Sequence, residues 1–520
     1  MSGPGPSEER AVTEESASSG SAVSTGAGPT SRGEAVVVGP RTARRRAQRS
    51  VQGRTTAIVA VSTVVLGTAL ISFAFPPPAA PPASPTGDGV SVAPAGARTS
   101  SLYCVTGAGV DAGAGATGMV VLTNTTRTTA QGFANTVGTT GTTTPGTVTV
   151  PPLGSAVVTP AKGLAPGATA TTYSFSQGGV SGMAVVLGPQ GWSTAPCVSK
   201  VSSQWNFAGG STDSGLLDLS LYNPTAGQVV VNVTFLTASG TVLDPQAYQG
   251  ITIPPGQLAV EGLGAYVQNQ PVVATLVSAS SGALVATELD QMKVSSGTGL
   301  ALLAGAPGTA TAWHFAQTTA VQGGTVTLAI ANPGATAVSV QITVGLSAAT
   351  VEPHRISVPA RTVANFVVSA VAGWPLGAPY SMDVSSSGPI VVGRTVLAPA
   401  GAASPQGGIT TGTTAAARAW LVVGPGAPGG PVVAGAALHS VAVANPGTNP
   451  VEVTVRRLAG GPPSAKVQVP GSGVVVLGSN QVGGLEPLLV DASGPVWVET
   501  DSSPTGAPGI VSSAGFPLGF

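Results

Sequence analysis

Charge is scarce in this sequence. Asp, Glu, Lys and Arg make up 8% of the 520 residues, aromatic residues only 4%, and there are 3 histidines and 2 cysteines. Each shortage removes a class of chemistry. Metal centres need clustered His, Cys or carboxylates, but His314, His354 and His439 stand in three unrelated contexts. No Asp-x-Asp-x-Asp-Gly loop is present, so calcium would have to rely on scattered acids such as Asp213 and Asp218. A nucleophile needs a positioned base, and neither a Gly-x-Ser-x-Gly elbow nor a supported Ser-x-x-Lys occurs. None of Lys162, Lys200, Lys293 and Lys466 precedes Ser or Thr, which excludes a Walker-type phosphate loop. No catalytic residue, metal site or cofactor is therefore expected.

What is abundant is turn and strand chemistry. The 73 Gly and 45 Pro punctuate runs of Val, Thr and Ala, which favours short strands over long soluble helices. The formal net charge is zero but unevenly placed: Glu8, Glu9, Glu14 and Glu15 lie upstream of a basic run from Arg41 to Arg54. Residues 1–54 read as a disordered tail ending in that run. Residues 55–75 carry no charge, long enough at about 1.5 Å per residue to cross a bilayer as a helix. The arginines beside this segment place the tail in the cytoplasm and the rest outside. That position accounts for them without a nucleic-acid partner. The rival is a cleaved signal peptide, with Ser72 and Ala74 as small residues near the cut. Residues 76–100 are Pro/Ala-rich and read as a semi-rigid stalk.

Beyond the stalk the chain repeats. Trp205, Trp313 and Trp420 stand 108 and 107 residues apart, and Asn223-Pro224, Asn332-Pro333 and Asn445-Pro446 follow them in order. Leu221/Leu219, Ile330/Leu328 and Val443/Val441 stand two and four residues before each Asn, the alternation of a half-buried strand. Each copy then has a proline turn and, later, a Ser-Gly turn opening a closing strand: Ser281-Gly282, Ser387-Gly388 and Ser493-Gly494. Proline should end the strand at each Asn because it cannot donate to the next rung. A degenerate copy precedes these three, with Asn124, Pro151-Pro152 and, in the place of tryptophan, Cys104. Cys104 and Cys197, the only cysteines, fall in its opening and closing strands and are expected to form a disulfide.

The fold class is all-β: a tandem array of about four immunoglobulin-like β-sandwich repeats, at 101–200, 201–305, 306–412 and 413–520, after one N-terminal transmembrane helix. Strung end to end they would form a rod. The motif series "QWNFAGG", "LYNPTAGQVVVNVTFL", "ITIPPGQ" and "SSGALVATE" resembles the Trp-Tyr-Phe-Ala-Glu-Gly repeats of secreted bacterial proteins. With anchor and stalk, the chain resembles an uncharacterised actinobacterial family of membrane-anchored envelope proteins. The likeness departs at the tyrosine, where Asn206, His314 or Leu421 stands, and it transfers no catalytic residue.

Two other features bear on function. Glu288/Asp290 and Glu499/Asp501 have i, i+2 spacing and share a strand face, with Arg394 at the closing strand of the third copy. A solvated strand end or an interdomain salt link is expected there, rather than a glycosidase pair. Trp192, Trp374 and Trp497 lie off the repeated position and are the candidates for an exposed, carbohydrate-binding aromatic row. The sequence points to a non-catalytic extracytoplasmic module that binds an envelope protein or wall polymer, or acts as a spacer or assembly factor. Adhesion or carbohydrate binding is the alternative, and an enzyme with an interdomain site the remote one.

Overall fold

The computed structural model describes residues 92–518, apart from 107–116, 160–163, 165–166, 189–190, 214–215, 295–296, 347–350, 400–406, 425–435, 483, 485 and 505–510. The expected tail, membrane helix and most of the stalk lie outside the described residues. Within them no helix is long and apolar enough to cross a membrane. The described chain is all-β in several sheets, and its one α-helix is the single turn Ser479–Val482.

The same pairing scheme occurs four times. In the first instance β1 (Ser100–Thr106), β2 (Thr117–Asn124), β3 (Ala130–Gly138), β4 (Thr143–Val150), β5 (Gly154–Val158), β6 (Thr169–Phe175), β7 (Val180–Gly188) and β8 (Gly191–Pro196) form two antiparallel sheets. Their orders are β1-β6-β3-β4 and β5-β2-β7-β8. The second instance contains β9 (Gln204–Gly210), β10 (Leu216–Tyr222), β11 (Val229–Thr237), β12 (Val242–Leu243), β13 (Ile251–Ile253), β14 (Leu258–Gly262), β15 (Val273–Ser281), β16 (Val285–Val294) and β17 (Gly297–Ala304). Its orders are β9-β15-β11-β12, with β13 also on β11, and β14-β10-β16-β17.

In the third instance β18 (Ala310–Thr318), β19 (Thr325–Asn332), β20 (Val338–Gly345), β21 (His354–Val358), β22 (Thr362–Val367) and β24 (Gly407–Thr411) surround one long strand, β23 (Tyr380–Leu397). The first half of β23 pairs with β18 and β20, and its second half with β19 and β24. The fourth instance repeats this: β30 (Leu488–Pro504) pairs first with β25 (Ala417–Val422) and β27 (Val451–Arg457), then with β26 (Ala436–Ala444) and β31 (Val511–Ala514). β28 (Ala465–Val469) borders β27, β29 (Val474–Gly478) borders β26, and β32 (Phe516–Pro517) borders β25.

The expectation of a Ser-Gly turn thus needs correction in two copies. Ser387-Gly388 and Ser493-Gly494 lie inside the continuous strands β23 and β30, and only Gly282 takes a positive φ, of 79°. What unites the three glycines is close approach. A Cβ would stand 2.8 Å from Val229 at Gly282, 2.8 Å from Val338 at Gly388 and 3.1 Å from Val451 at Gly494. The absence of a side chain lets the chain pass from one sheet to the other over the first valine of the third strand.

Period-two alternation fills the space between the sheets. In the second pair, Trp205, Phe207, Leu217, Leu219, Leu221, Val231, Val233 and Phe235 form one buried cluster. Each such aliphatic side chain contributes about 1.5–3 kcal/mol relative to exposure.

The sheet pairs do not string out as a rod. β8 packs on β17, β17 on β24, β24 on β31, and β31 back on β8. The opening strand of each pair also faces the next pair: β1 meets β16, β9 meets β23, and β18 meets β30. The series closes where Leu421 of β25 joins Val121, Met183 and Val185 of the first pair in one buried cluster. A parallel bridge between Val92 and Leu518 lies at the same seam. The four pairs form a closed ring. Small residues permit it: a Cβ at Gly393 of β23 would stand 1.9 Å from the Ala208 carbonyl oxygen of β9.

Candidate functional site

The repeated side chains are used by the fold itself. Trp205, Trp313 and Trp420 are buried in the opening strands. Their Nε1 groups donate to Leu284 O (2.9 Å), Ile390 O (2.9 Å) and Val496 O (3.0 Å) respectively. Each acceptor lies directly beyond the last register pair of the Asn-bearing strand, at the corner where the chain changes sheets.

The asparagines repeat with equal fidelity and are fully buried or nearly so. Asn223 Nδ2 donates to Gly227 O, Ile253 O and Pro254 O at 2.7, 2.9 and 3.1 Å, and its Oδ1 accepts from Thr225 N at 3.0 Å. Asn332 makes the equivalent bonds to Thr336, Val358, Pro359 and Gly334. Asn445 makes them to Asn449, Val469, Pro470 and Gly447, and Asn124 to Thr128, Val150, Pro151 and Thr126. One amide thereby ties the turn after the second strand to the later proline turn of the same pair. Both amide N–H donors are used within the fold, and burial keeps the remaining oxygen lone pair from a ligand.

Cys104 and Cys197 are bonded to each other. The register, however, moves Cys104 out of the tryptophan's place. Trp205 pairs with Val277, seven residues before Leu284, and Leu102 pairs with Tyr173, seven residues before Val180. The bridges Tyr103–Val198, Asn206–Ala306 and His314–Thr413 give the same alignment. Leu102 is therefore the tryptophan's counterpart, while Cys104 matches Phe207 and Phe315. In the second and third pairs those phenylalanines lie against Gly305 and Gly412, where a Cβ would come within 2.7 and 3.0 Å of the ring. The disulfide replaces this Phe-over-Gly contact.

The acidic pairs are buried, contrary to a solvated strand end. Glu288 and Asp290 stand opposite Leu219 and Leu217 and so face the core of the second pair. Thr275 Oγ1 donates to Glu288 (2.8 Å) and Ser211 N to Asp290 (3.1 Å). Desolvation raises the Glu288 carboxyl to about 7, against the Thr275 hydrogen bond. Asp290 is raised well above the usual range by burial and by Glu288. Such a pair holds a proton at neutral pH. Each has an oxygen with no hydrogen-bond partner.

Glu499 instead stands opposite Ala442 and points out of the fourth pair toward the third. There it meets the buried Arg394 guanidinium, which also donates to Gln317 O and Thr318 Oγ1 and lies 5.1 Å over the Phe315 ring. Gln317 completes the joint, with its N–H on Glu499 (3.0 Å) and its Nε2 on Asp501 (2.6 Å). Burial, then Glu499, raises Asp501 to about 6. This is the interdomain salt link.

The expected aromatic row is not a surface. Trp192, Trp374 and Trp497 are 1%, 8% and 5% exposed. Trp192 lies in the seam cluster, Trp374 meets Phe366 edge-on, and Trp497 stacks on His314 at 3.9 Å between ring centres. His314 thus packs between the third and fourth pairs, while His354 lies beside Phe366 and the His439 side chain is outside the described residues. Asp213 is exposed and Asp218 buried. No group of three potential metal ligands occurs among the described residues.

Two cavities lie between pairs, where no motif could announce them. One, of about 90 Å³, sits where β8, β17, β24 and β31 converge, lined by Thr194, Thr411, Ser513 and backbone of Gly305 and Gly412. It has the volume of about three waters. The other, of about 470 Å³, lies at the seam between the first and fourth pairs and is lined by Arg127, Arg456 and Arg457 over an aliphatic floor. In the sequence these arginines sit in ordinary turn and strand-end positions more than 300 residues apart, which conceals them.

The site features define a class no narrower than an all-β protein whose repeated polar residues are structural. Residues 156–310, spanning the later strands of the first pair and the whole second pair, match a family of unknown function, DUF5719. No curated protein matches. Among solved structures, a crystal structure of Thermotoga maritima 1070 is similar at 21% identity over 20% of this chain and 92% of its own, with a TM-score of 0.19. A tetra-tandem repeat from the extending region of a large adhesion protein is similar at 14% identity over 80% of this chain and 99% of its own, with a TM-score of 0.08. At these scores neither likeness bears on fold or function.

Proposed function

We propose that the chain is a non-catalytic, extracytoplasmic protein of an actinobacterial cell envelope, anchored by residues 55–75, whose ring of four repeats acts as a binding or assembly platform. The repeats are the four read from the sequence, near 101–200, 201–305, 306–412 and 413–520. They are immunoglobulin-like in a limited sense. The second strand pairs with the fifth and the third with the sixth, as B with E and C with F, while the first and seventh strands exchange places. The observation that carries the reading is that the repeated polar groups are engaged inside the fold: the indole and amide N–H donors all end on backbone carbonyls of the same sheet pair. Ring closure favours a compact platform over a long spacer.

The test swaps the anchor and stalk for an unrelated signal and tether while leaving the repeats intact. A platform needing membrane proximity regains function with any tether of similar reach and fails as a released, soluble ectodomain. Full complementation by the soluble form, with loss on mutating one acidic pair in a stably folded protein, would refute the proposal.

A further inference from the structure

We propose that the seam cavity between the first and fourth sheet pairs is a binding site for an amphiphilic anion, a phosphate or carboxylate head carrying a short apolar tail. The cavity, about 470 Å³, has the size of a small-molecule site. Its lining divides by chemistry. Leu153 comes from the first pair, Leu458, Leu489 and Leu518 from the fourth, and Val92 from the entering chain; together they supply an aliphatic floor, and Val92 and Leu458 belong to the buried seam cluster. Arg127, in the exposed turn between β2 and β3, lines the same cavity as Arg456 and Arg457 at the end of β27.

Charge at the opening is incompletely balanced. Arg456 pairs with Asp491 at 2.7 Å and Arg457 with Glu486 at 3.1 Å, while Arg127 has no acidic partner among the described residues. The paired arginines are 47% and 57% exposed, and each guanidinium carries more N–H donors than one carboxylate takes up, so N–H groups remain for an anion. Planar guanidinium groups recognise phosphate and carboxylate through paired hydrogen bonds. A simple inorganic anion would leave the floor unfilled, and a neutral apolar molecule would leave Arg127 uncompensated. An amphiphilic anion satisfies both.

Position gives the site a consequence. Successive pairs are joined by short chain connections, but the first and fourth meet only through folding, at this seam and where β31 packs on β8. An occupant touching Arg127 and Leu153 on one side and Leu458 and Leu489 on the other bridges the seam and stabilises the closed ring by mass action.

The inference deepens the binding role proposed above by naming a ligand class, and its test is separate. The full chain is titrated calorimetrically at low salt with hexyl phosphate, inorganic phosphate and hexanol. The expected result is saturable one-to-one binding of hexyl phosphate, at least about tenfold weaker binding of the other two, and about tenfold loss in Arg127→Gln with an unchanged melting temperature. Absence of saturable hexyl phosphate binding overturns the proposal. So does inorganic phosphate binding equally well, which would mean the floor is not engaged, or an affinity indifferent to both Arg127→Gln and Arg457→Gln. A negative titration leaves the tether experiment standing, and a failed tether experiment leaves the titration standing.

Discussion

Asn332→Ala isolates the contribution of the buried amide. Asn332 is fully buried and makes four hydrogen bonds: to Thr336 O at 2.9 Å, Val358 O at 3.1 Å, Pro359 O at 2.9 Å, and from Gly334 N at 3.0 Å. Alanine removes all four. Pro359 O keeps a donor in the Thr362 hydroxyl at 2.9 Å, so three bonds are lost without replacement. At about 1 kcal/mol for each, the third pair loses about 3 kcal/mol. Asn332→Asp should cost more at pH 7, because a carboxylate keeps the Gly334 bond but turns negative charge onto three carbonyl oxygens. A multi-repeat chain need not unfold in one step. Native-state hydrogen exchange is therefore the assay, read at Gly334 and along β19 and β22, with urea unfolding beside it. A loss below about 1 kcal/mol, or Asp tolerated better than Ala, would refute the assigned role.

Two further outcomes follow from the buried charges. The folded pKa of Glu288, about 7, lies above the ordinary 4.5, so its protonated form stabilises the fold below that ordinary value and the benefit is lost as pH rises to about 7. At about 1.4 kcal/mol per pH unit this is a loss of about 3 kcal/mol, visible as a falling urea midpoint between pH 4.5 and 7 that Glu288→Gln makes shallower, the buried Asp290 keeping part of the slope; an unchanged slope would contradict it. Glu499→Ala leaves the Arg394 guanidinium buried without its counter-charge and should cost about 3–5 kcal/mol, most of it recovered in the double variant Arg394→Met/Glu499→Met; a single-variant loss under about 1 kcal/mol would show the pair to be dispensable.

How far the sequence could be read depended on which faces carried the signal. Inward positions announce themselves, because Leu219/Leu221, Leu328/Ile330 and Val441/Val443 alternate and Trp and Asn recur at one period. The disulfide was legible from two cysteines in one copy. Register was not: counting back from Trp205 reached Cys104, whereas pairing puts Leu102 in that place, a two-residue slip invisible without the partner strand. The acids show the same limit. Spacing of two fixes a shared face but not which one, so Glu288 faces a core and Glu499 a neighbouring pair. Ring closure was illegible because the faces that meet carry Ala208, Ala316, Ala442, Ala444 and Gly393. Residues chosen for absence of bulk leave no pattern to count.

A closed ring has no first or last member. Open stacks of repeats must end in atypical units with a polar outer face, since each terminal unit would otherwise show water the surface that an inner one buries. Here the outer face of the first pair is covered by the fourth through Val121, Met183, Val185 and Leu421, so that requirement disappears. Copy number then becomes a geometric constant. Removing one unit would open two apolar faces too far apart to meet, and adding a fifth would need every junction to change its angle. In a solenoid, gene duplication lengthens the molecule by a tolerable step. In this chain it would break the closure on which every unit depends, so the count of four is held by the joints between units as firmly as by the units themselves.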